Sequence, residues 1–224
     1  MRPAFHPRLS DLPGEIAIFP LPGALLLPGG RLPLNIFEPR YLAMTQDALA
    51  NRRMFGMIQP NPQEARGPTG PGLYRIGCLG RLAQFAETDD GRLLITLAGL
   101  IRFRVAEELP LHDAGYRRIR PDFSPFAADL DPPSPTLDRP ALEAALSAYF
   151  KAQGIGADWK AIQATPDPLL VTTLCMACPF EPREKQALLE AETPAARAAM
   201  LVALLQIGAA APAPTDDSPR SNLS

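Results

Sequence analysis

Short apolar runs with a two-residue period, cut repeatedly by glycine and proline, fill the first half of the chain. Ile16, Ile18 and Leu21 predict a first strand and Arg31 to Phe37 (RLPLNIF) a second. Five prolines and three glycines fall between Ile18 and Met44. Proline removes a backbone donor and clashes with the preceding turn of a helix, so this stretch reads as short strands and tight turns. Pro39 stands where a helix would start, and Tyr41 to Arg52 follows with helical periodicity. Glu38, just ahead, suits the positive end of the helix dipole. Met54 to Gln59 returns to strand, and Asn61 to Gly72 is a polar loop rich in proline and glycine. Leu73 to Ala86 is a long strand, with a bulge or bend expected at Gly77 and Gly80. Asp89-Asp90-Gly91 signals a hairpin, and Arg92 to Ala98 pairs back. Gly99 is expected to separate that strand from Leu100 to Glu107. There Ile101, Phe103 and Val105 alternate with Arg102 and Arg104, giving one apolar and one charged face. Gly115 to Ile119 is a weaker last strand.

The period changes after a boundary of proline, serine and aspartate from Pro121 to Pro140. Asp138 can cap a helix running to about Gln153, which Gly154 and Gly156 break. Asp158 opens a short turn. Pro168 to Ala177, Glu181 to Ala191 and Thr193 to Ile207 are further helices, the last two with Pro182 and Pro194 in their first turns. The chain therefore divides into a flexible lead (1–12), a β-rich unit (13–123), a proline-rich linker (124–137), a helical bundle (138–208) and a disordered tail (209–224), an α+β organisation. Leu142, Leu146, Leu174, Leu188, Leu201 and Leu205 form stripes that must be buried against one another or the β-rich unit.

Composition narrows the classes. The 224 residues are 46% hydrophobic with a formal charge of −2, which offers no global basic field for nucleic acid. Three cysteines are an odd number and too few for a secreted disulfide scaffold. The opening residues lack a signal-peptide core, and the most apolar late stretch, 198–211, is too short to span a bilayer. The expectation is a cytoplasmic protein with no membrane contact.

In combination, FPLPGALLLPGGRLPLNIFEPRYLAM at 19–44, IGCLGRLAQF at 76–85 with the DDGRLLITLAG hairpin, RFRV at 102–105 and PFEPREKQALLEAETPAARAAMLVALL at 179–205 resemble the Lon protease N-terminal, or substrate-binding, domain family. The resemblance covers roughly residues 13–208. It implies a curved, PUA-like β-barrel followed by a helical bundle, and a part in recognising substrate proteins. The chain lacks a G-x-x-x-x-G-K-[ST] phosphate loop, and too few residues follow the domain for a Ser-Lys protease. It resembles the short stand-alone bacterial members, and proteolysis is not implied.

Little else looks like chemistry. Cys175 and Cys178 have CxxC spacing, but no second ligand pair matches it and the motif ends a helix, so buried thiols are expected over half a zinc site or a redox pair. Cys78 with His112 has no third orienting group. No metal or cofactor is expected. The candidate binding residues are Asn35, Phe37, Glu38, Arg40 and Tyr41 around IFEPRY, with Arg102 and Arg104. Phe37 is expected to anchor the core, and Glu38 and Arg40 to set the strand-to-helix turn through a buried or half-buried partner. The expected ligand is an extended polypeptide, added to a strand edge or held in a groove beside the helices, in protein quality control. The alternatives are RNA, on a face built from Arg102, Arg104, Arg117, Arg118 and Arg120, and a small-molecule enzyme. The sequence leaves the oligomeric state open.

Overall fold

Six strands form one sheet, and five of them curl into a closed ring. The computed structural model describes residues 7–131 and 137–210. Parts of the expected lead (1–6), linker (132–136) and tail (211–224) lie outside the described residues. In chain order the elements are β1 (Ile16–Pro20), β2 (Arg31–Ile36), α1 (Pro39–Ala50), β3 (Met54–Ile58), β4 (Ile76–Glu87), β5 (Leu93–Leu109), β6 (Arg117–Asp122), α2 (Arg139–Gln153), α3 (Trp159–Ala164), α4 (Asp167–Ala177), α5 (Pro182–Glu190) and α6 (Pro194–Ala210). The strand order is β2-β5-β4-β3-β1-β6, and β6 also pairs with β5. Strands β5, β4, β3, β1 and β6 thus close a ring, and β2 hangs on the N-terminal half of β5. β1 and β3 pair in parallel, and the remaining pairs are antiparallel.

The two apolar runs flanking Gly99 are one 17-residue strand rather than two. The pairing with β4 steps from Leu79↔Ile101 to Gly80↔Gly99, so Leu100 is the extra residue of a bulge. Gly99 is required there by close approach. A Cβ on it would lie 2.0 Å from the Leu27 carbonyl oxygen. The neighbouring loop is tied to the strand at this point, with Gly29 N–H donating to the Gly99 carbonyl (3.0 Å) and Gly99 N–H to the Gly30 carbonyl (2.9 Å). The last strand starts later than expected, because Gly115 (φ +85°) serves as the turn before it.

Two clusters make the core. Ile16, Ile18, Ile58, Leu79, Ile101, Phe103 and Ile119 fill the ring, and Phe126 and Leu130 join them. Those last two belong to a 3-10 helix over Ser124–Leu130, inside the stretch expected as linker. The second cluster runs without a break from Phe19, Leu25–Leu27, Ile36, Met44, Leu93 and Leu97 to Leu142, Leu146, Leu174, Leu188, Leu201 and Leu205. The six leucine stripes are therefore buried both on one another and against the sheet. Sequence chemistry starts the helices: the Asp138 and Asp158 carboxylates accept from the backbone N–H groups of Ala141 (3.0 Å) and Ala161 (3.1 Å). Proline occupies the first turns of α5 and α6.

Candidate functional site

Beyond the ring, the distal half of β4 and the N-terminal half of β5 continue outward, and β2 joins them as a three-stranded wing. Residues directly opposite one another project to the same side of a sheet. Leu32–Leu97–Leu82 and Leu34–Ile95–Phe85 face one way, and Leu82, Ile95 and Leu97 there are buried in the core. Arg31–Ala98–Arg81, Pro33–Thr96–Gln84 and Asn35–Leu94–Ala86 face the other. That outer side is open. Leu94 is 49% exposed, and Phe37, one residue past β2, is 60% exposed. The Arg92 guanidinium lies 5.7 Å from the Phe37 ring centroid. A groove of about 920 Å³ borders the wing, lined by Pro33, Asn35, Gln84 and Leu94 of the outer rows, by residues of the other rows such as Leu34 and Phe85, and by Arg53. β2 is the last strand in the sheet order on this side, and among the described residues its outer edge has no strand partner.

The predicted residues separate into those on this surface and those elsewhere. Asn35 and Phe37 are on it. Phe37 is not a core anchor: the strand alternation turns its neighbour Ile36 inward (1% exposed), which points Phe37 to solvent. Glu38 and Arg40 pair with each other at 2.8 Å at the head of α1, both about half exposed, and Glu38 makes no side-chain cap to the helix. The half-buried partner expected for Arg40 is instead this surface carboxylate. Tyr41 is buried, its ring 4.2 Å from that of Phe19 and 4.5 Å from the Arg40 guanidinium carbon. Burial pushes its hydroxyl pKa up, although Arg40 opposes the shift.

The expected arginine face does not form. Arg102 is 5% exposed, because the 3-10 helix and α5 cover that side of β5. Its guanidinium donates to both Asp129 carboxylate oxygens (2.9 Å each) and to the Leu189 (3.1 Å) and Ala191 (2.7 Å) carbonyls. Arg197 donates to the Leu188 carbonyl (2.8 Å), so two arginines close the C-terminal end of α5. Arg117 is buried too, donating to Glu108 and to the Pro71 carbonyl. Arg118 pairs with Glu15, and Arg120 with Glu107. Arg104 is exposed in register with Asp122, about 30 Å along β5 from Leu94. The sheet and the helices share one apolar cluster, and the groove described above lies on the wing, not beside the helices.

The other candidate chemistry resolves into packing. Cys78, Cys175 and Cys178 are free and buried. Burial pushes the Cys175 thiol up to about 12 and the Cys178 thiol to about 11, and raises Cys78 further. The Cys78 thiol faces the Leu79 carbonyl, whereas His112 stacks on Tyr116 at 4.3 Å and accepts from the Ala114 N–H, so the two are not brought together. Among the described residues, no three acidic, cysteine or histidine side chains gather as metal ligands. Among the described residues, no helix is long and apolar enough to cross a membrane.

Sequence reasoning missed Leu94 and Arg53. Leu93-Leu94 breaks the alternation, so one of the pair must face outward, and that signal was available. Arg53 has none, since its place depends on how α1 ends.

Comparison with known proteins gives a consistent picture. The family described as the ATP-dependent protease La (LON) substrate-binding domain matches residues 15–206. Lon protease 2 of Myxococcus xanthus is 29% identical over 112 residues, covering 50% of this chain and 13% of that protein. Lon protease of Elusimicrobium minutum is 22% identical over 206 residues, covering 89% of this chain and 24% of that protein. The chain thus spans only a small part of the curated relatives it matches. Among solved structures, a Lon N-terminal domain protein from Xanthomonas campestris superposes with a TM-score of 0.57 at 24% identity, covering 84% of this chain and 97% of that one. The N-terminal domain of a Mycobacterium avium complex Lon protease gives 0.56 at 13% identity, covering 85% and 97%.

Proposed function

Since the chain belongs to the Lon substrate-binding domain family, we propose that it is a non-catalytic recognition module that captures extended polypeptide segments on the outer side of its wing, in the service of protein quality control. One observation carries this reading: Leu94 stands exposed in a groove beside the open edge of β2, and Phe37 stands exposed one residue past the end of that strand. Large apolar side chains clustered on a sheet face mark interaction surfaces. An extended chain beside an edge strand gains main-chain hydrogen bonds while its alternate side chains meet the face. Pro33 lacks a backbone donor, and such a residue on an edge blunts indiscriminate pairing with other copies.

The test is binding of a fluorescent, permanently unfolded protein to the wild type and to a Phe37→Ser, Leu94→Ser double variant. Both side chains already face solvent, so the melting temperature should stay within about 2 °C. Affinity should fall about tenfold or more, as for loss of central apolar anchors. Unchanged affinity in a folded variant would remove the wing as the binding surface.

A further inference from the structure

We infer that the wing groove selects extended segments that carry a side-chain carboxylate, and that Arg53 binds it; this rests on the reading of the groove as a polypeptide site. The groove lining contains one ionisable residue, Arg53, and no acid. Arg53 is also the one non-glycine residue with positive φ (+57°) among the described residues. Its backbone is fixed there from both sides: its N–H donates to the Ala48 carbonyl (2.7 Å), ending α1, and its carbonyl accepts from the Leu82 N–H (2.8 Å), next to the register shift of β4. Glycine fits that conformation without strain, whereas a side chain does not. A long cationic side chain held in a strained conformation at a groove points to use of the charge.

The ion pairs leave the Arg53 charge available. Arg40, Arg92, Arg102, Arg117, Arg118, Arg120 and Arg139 each have a carboxylate within 4.0 Å. Arg53 has none among the described residues, and neither have Arg31, at the same end of the wing, and others such as Arg52, Arg75 and Arg104; what sets Arg53 apart is its place in the groove lining. Phe37 and Leu94 lie at the other end. The groove therefore has its one cation, Arg53, where the wing leaves the ring, and the exposed Leu94 toward the hairpin. Along β2 the Arg31 row and the row holding Leu94 are four residues apart, about 13 Å in extended chain. A bound segment would then present Asp or Glu four positions from an apolar side chain, both on one side of the strand.

Fluorescence anisotropy with three labelled peptides of about a dozen residues tests this, each peptide neutral and β-prone with a central leucine pair. One carries Asp four positions from the leucines and an amidated C-terminus. The second carries Asn there and is amidated. The third carries Asn with a free C-terminal carboxylate. The Asp peptide should bind about three- to tenfold more tightly than the amidated Asn peptide, with the advantage shrinking as salt rises. Arg53→Gly, which suits the backbone, should abolish the advantage without lowering the melting temperature, and Arg53→Lys should keep part of it. Equal binding of the Asp and amidated Asn peptides would overturn the charge selectivity while leaving the polypeptide reading intact. Recovery of tight binding by the free C-terminus alone would overturn the side-chain assignment. An advantage that persists in Arg53→Gly would overturn the role of Arg53. Binding of none of the three would overturn both readings.

Discussion

Phe37 shows how much depends on a single step of strand phase. Its type and neighbourhood suggest core, yet Ile36 takes the inward position and Phe37 becomes the most prominent apolar group of the wing. A sequence of two adjacent apolar residues does not say which one faces in, because the deciding term is what the opposite strand presents. The same holds for Leu93 and Leu94. Arg102 carried the opposite signal: it reads as a solvated charge, but its partner Asp129 lies in a stretch of low-complexity character that gave no hint of order. The cysteines were legible, since apolar surroundings and unmatched spacing suggest buried thiols. Their raised pKa values lead to a direct expectation, because the thiolate is the reactive form. At about pH 8 the folded protein should react slowly with a thiol-specific disulfide reagent, whereas all three cysteines should react at once in denaturant. Fast stoichiometric reaction of the native protein would contradict the burial. A raised folded pKa also fixes the sign in alkali: the stability from Cys175 is fully present below the ordinary value of 9.0 and is lost as pH rises toward about 12.

At the level of elements, the hairpin, α1, β3 and the late helices fall close to where periodicity and capping residues place them, because those signals are local. Gly99 misled for a physical reason. A glycine between two apolar runs is an equally good sign of a chain break and of a backbone packed against the strand, and only the tertiary contact with Leu27 decides between them. The contact makes a sharp prediction. Gly99→Ala would push a methyl group into a backbone carbonyl that cannot rotate away, and should cost about 3 kcal/mol by denaturant unfolding. Gly156, where a Cβ would meet nothing within 4 Å, serves as the control, and its alanine variant should stay within about 0.5 kcal/mol. Equal stability of the two variants would mean that the loop at Leu27 is not seated on β5.

For the whole molecule, the division into a β-rich unit and a bundle describes the order of elements along the chain, but the larger apolar cluster crosses it. Helical stripes announce that something must cover them without saying what, so the shared core was legible only as a need. Arg102 adds a polar tie across the same boundary, joining β5, the 3-10 helix and α5. A fragment ending at Phe123 would lose the Asp129, Leu189 and Ala191 partners of Arg102 together with the helices that share the larger apolar cluster, and would bare apolar residues such as Leu25–Leu27 and Phe19. It should be insoluble on expression. A soluble fragment with one cooperative unfolding transition would show that the strands fold alone. The same long strand that closes the ring also carries the wing: β5 bears Leu94 near its start and Arg102 past its bulge. On the proposed binding at the wing, tension on a bound polypeptide would have a covalent route into the body of the protein. Because ladder hydrogen bonds run perpendicular to the strands, a pull along β5 strains its rungs to β2 and β4 together in shear instead of peeling them one by one, so the grip should outlast a steady pull along that axis far better than a pull across it.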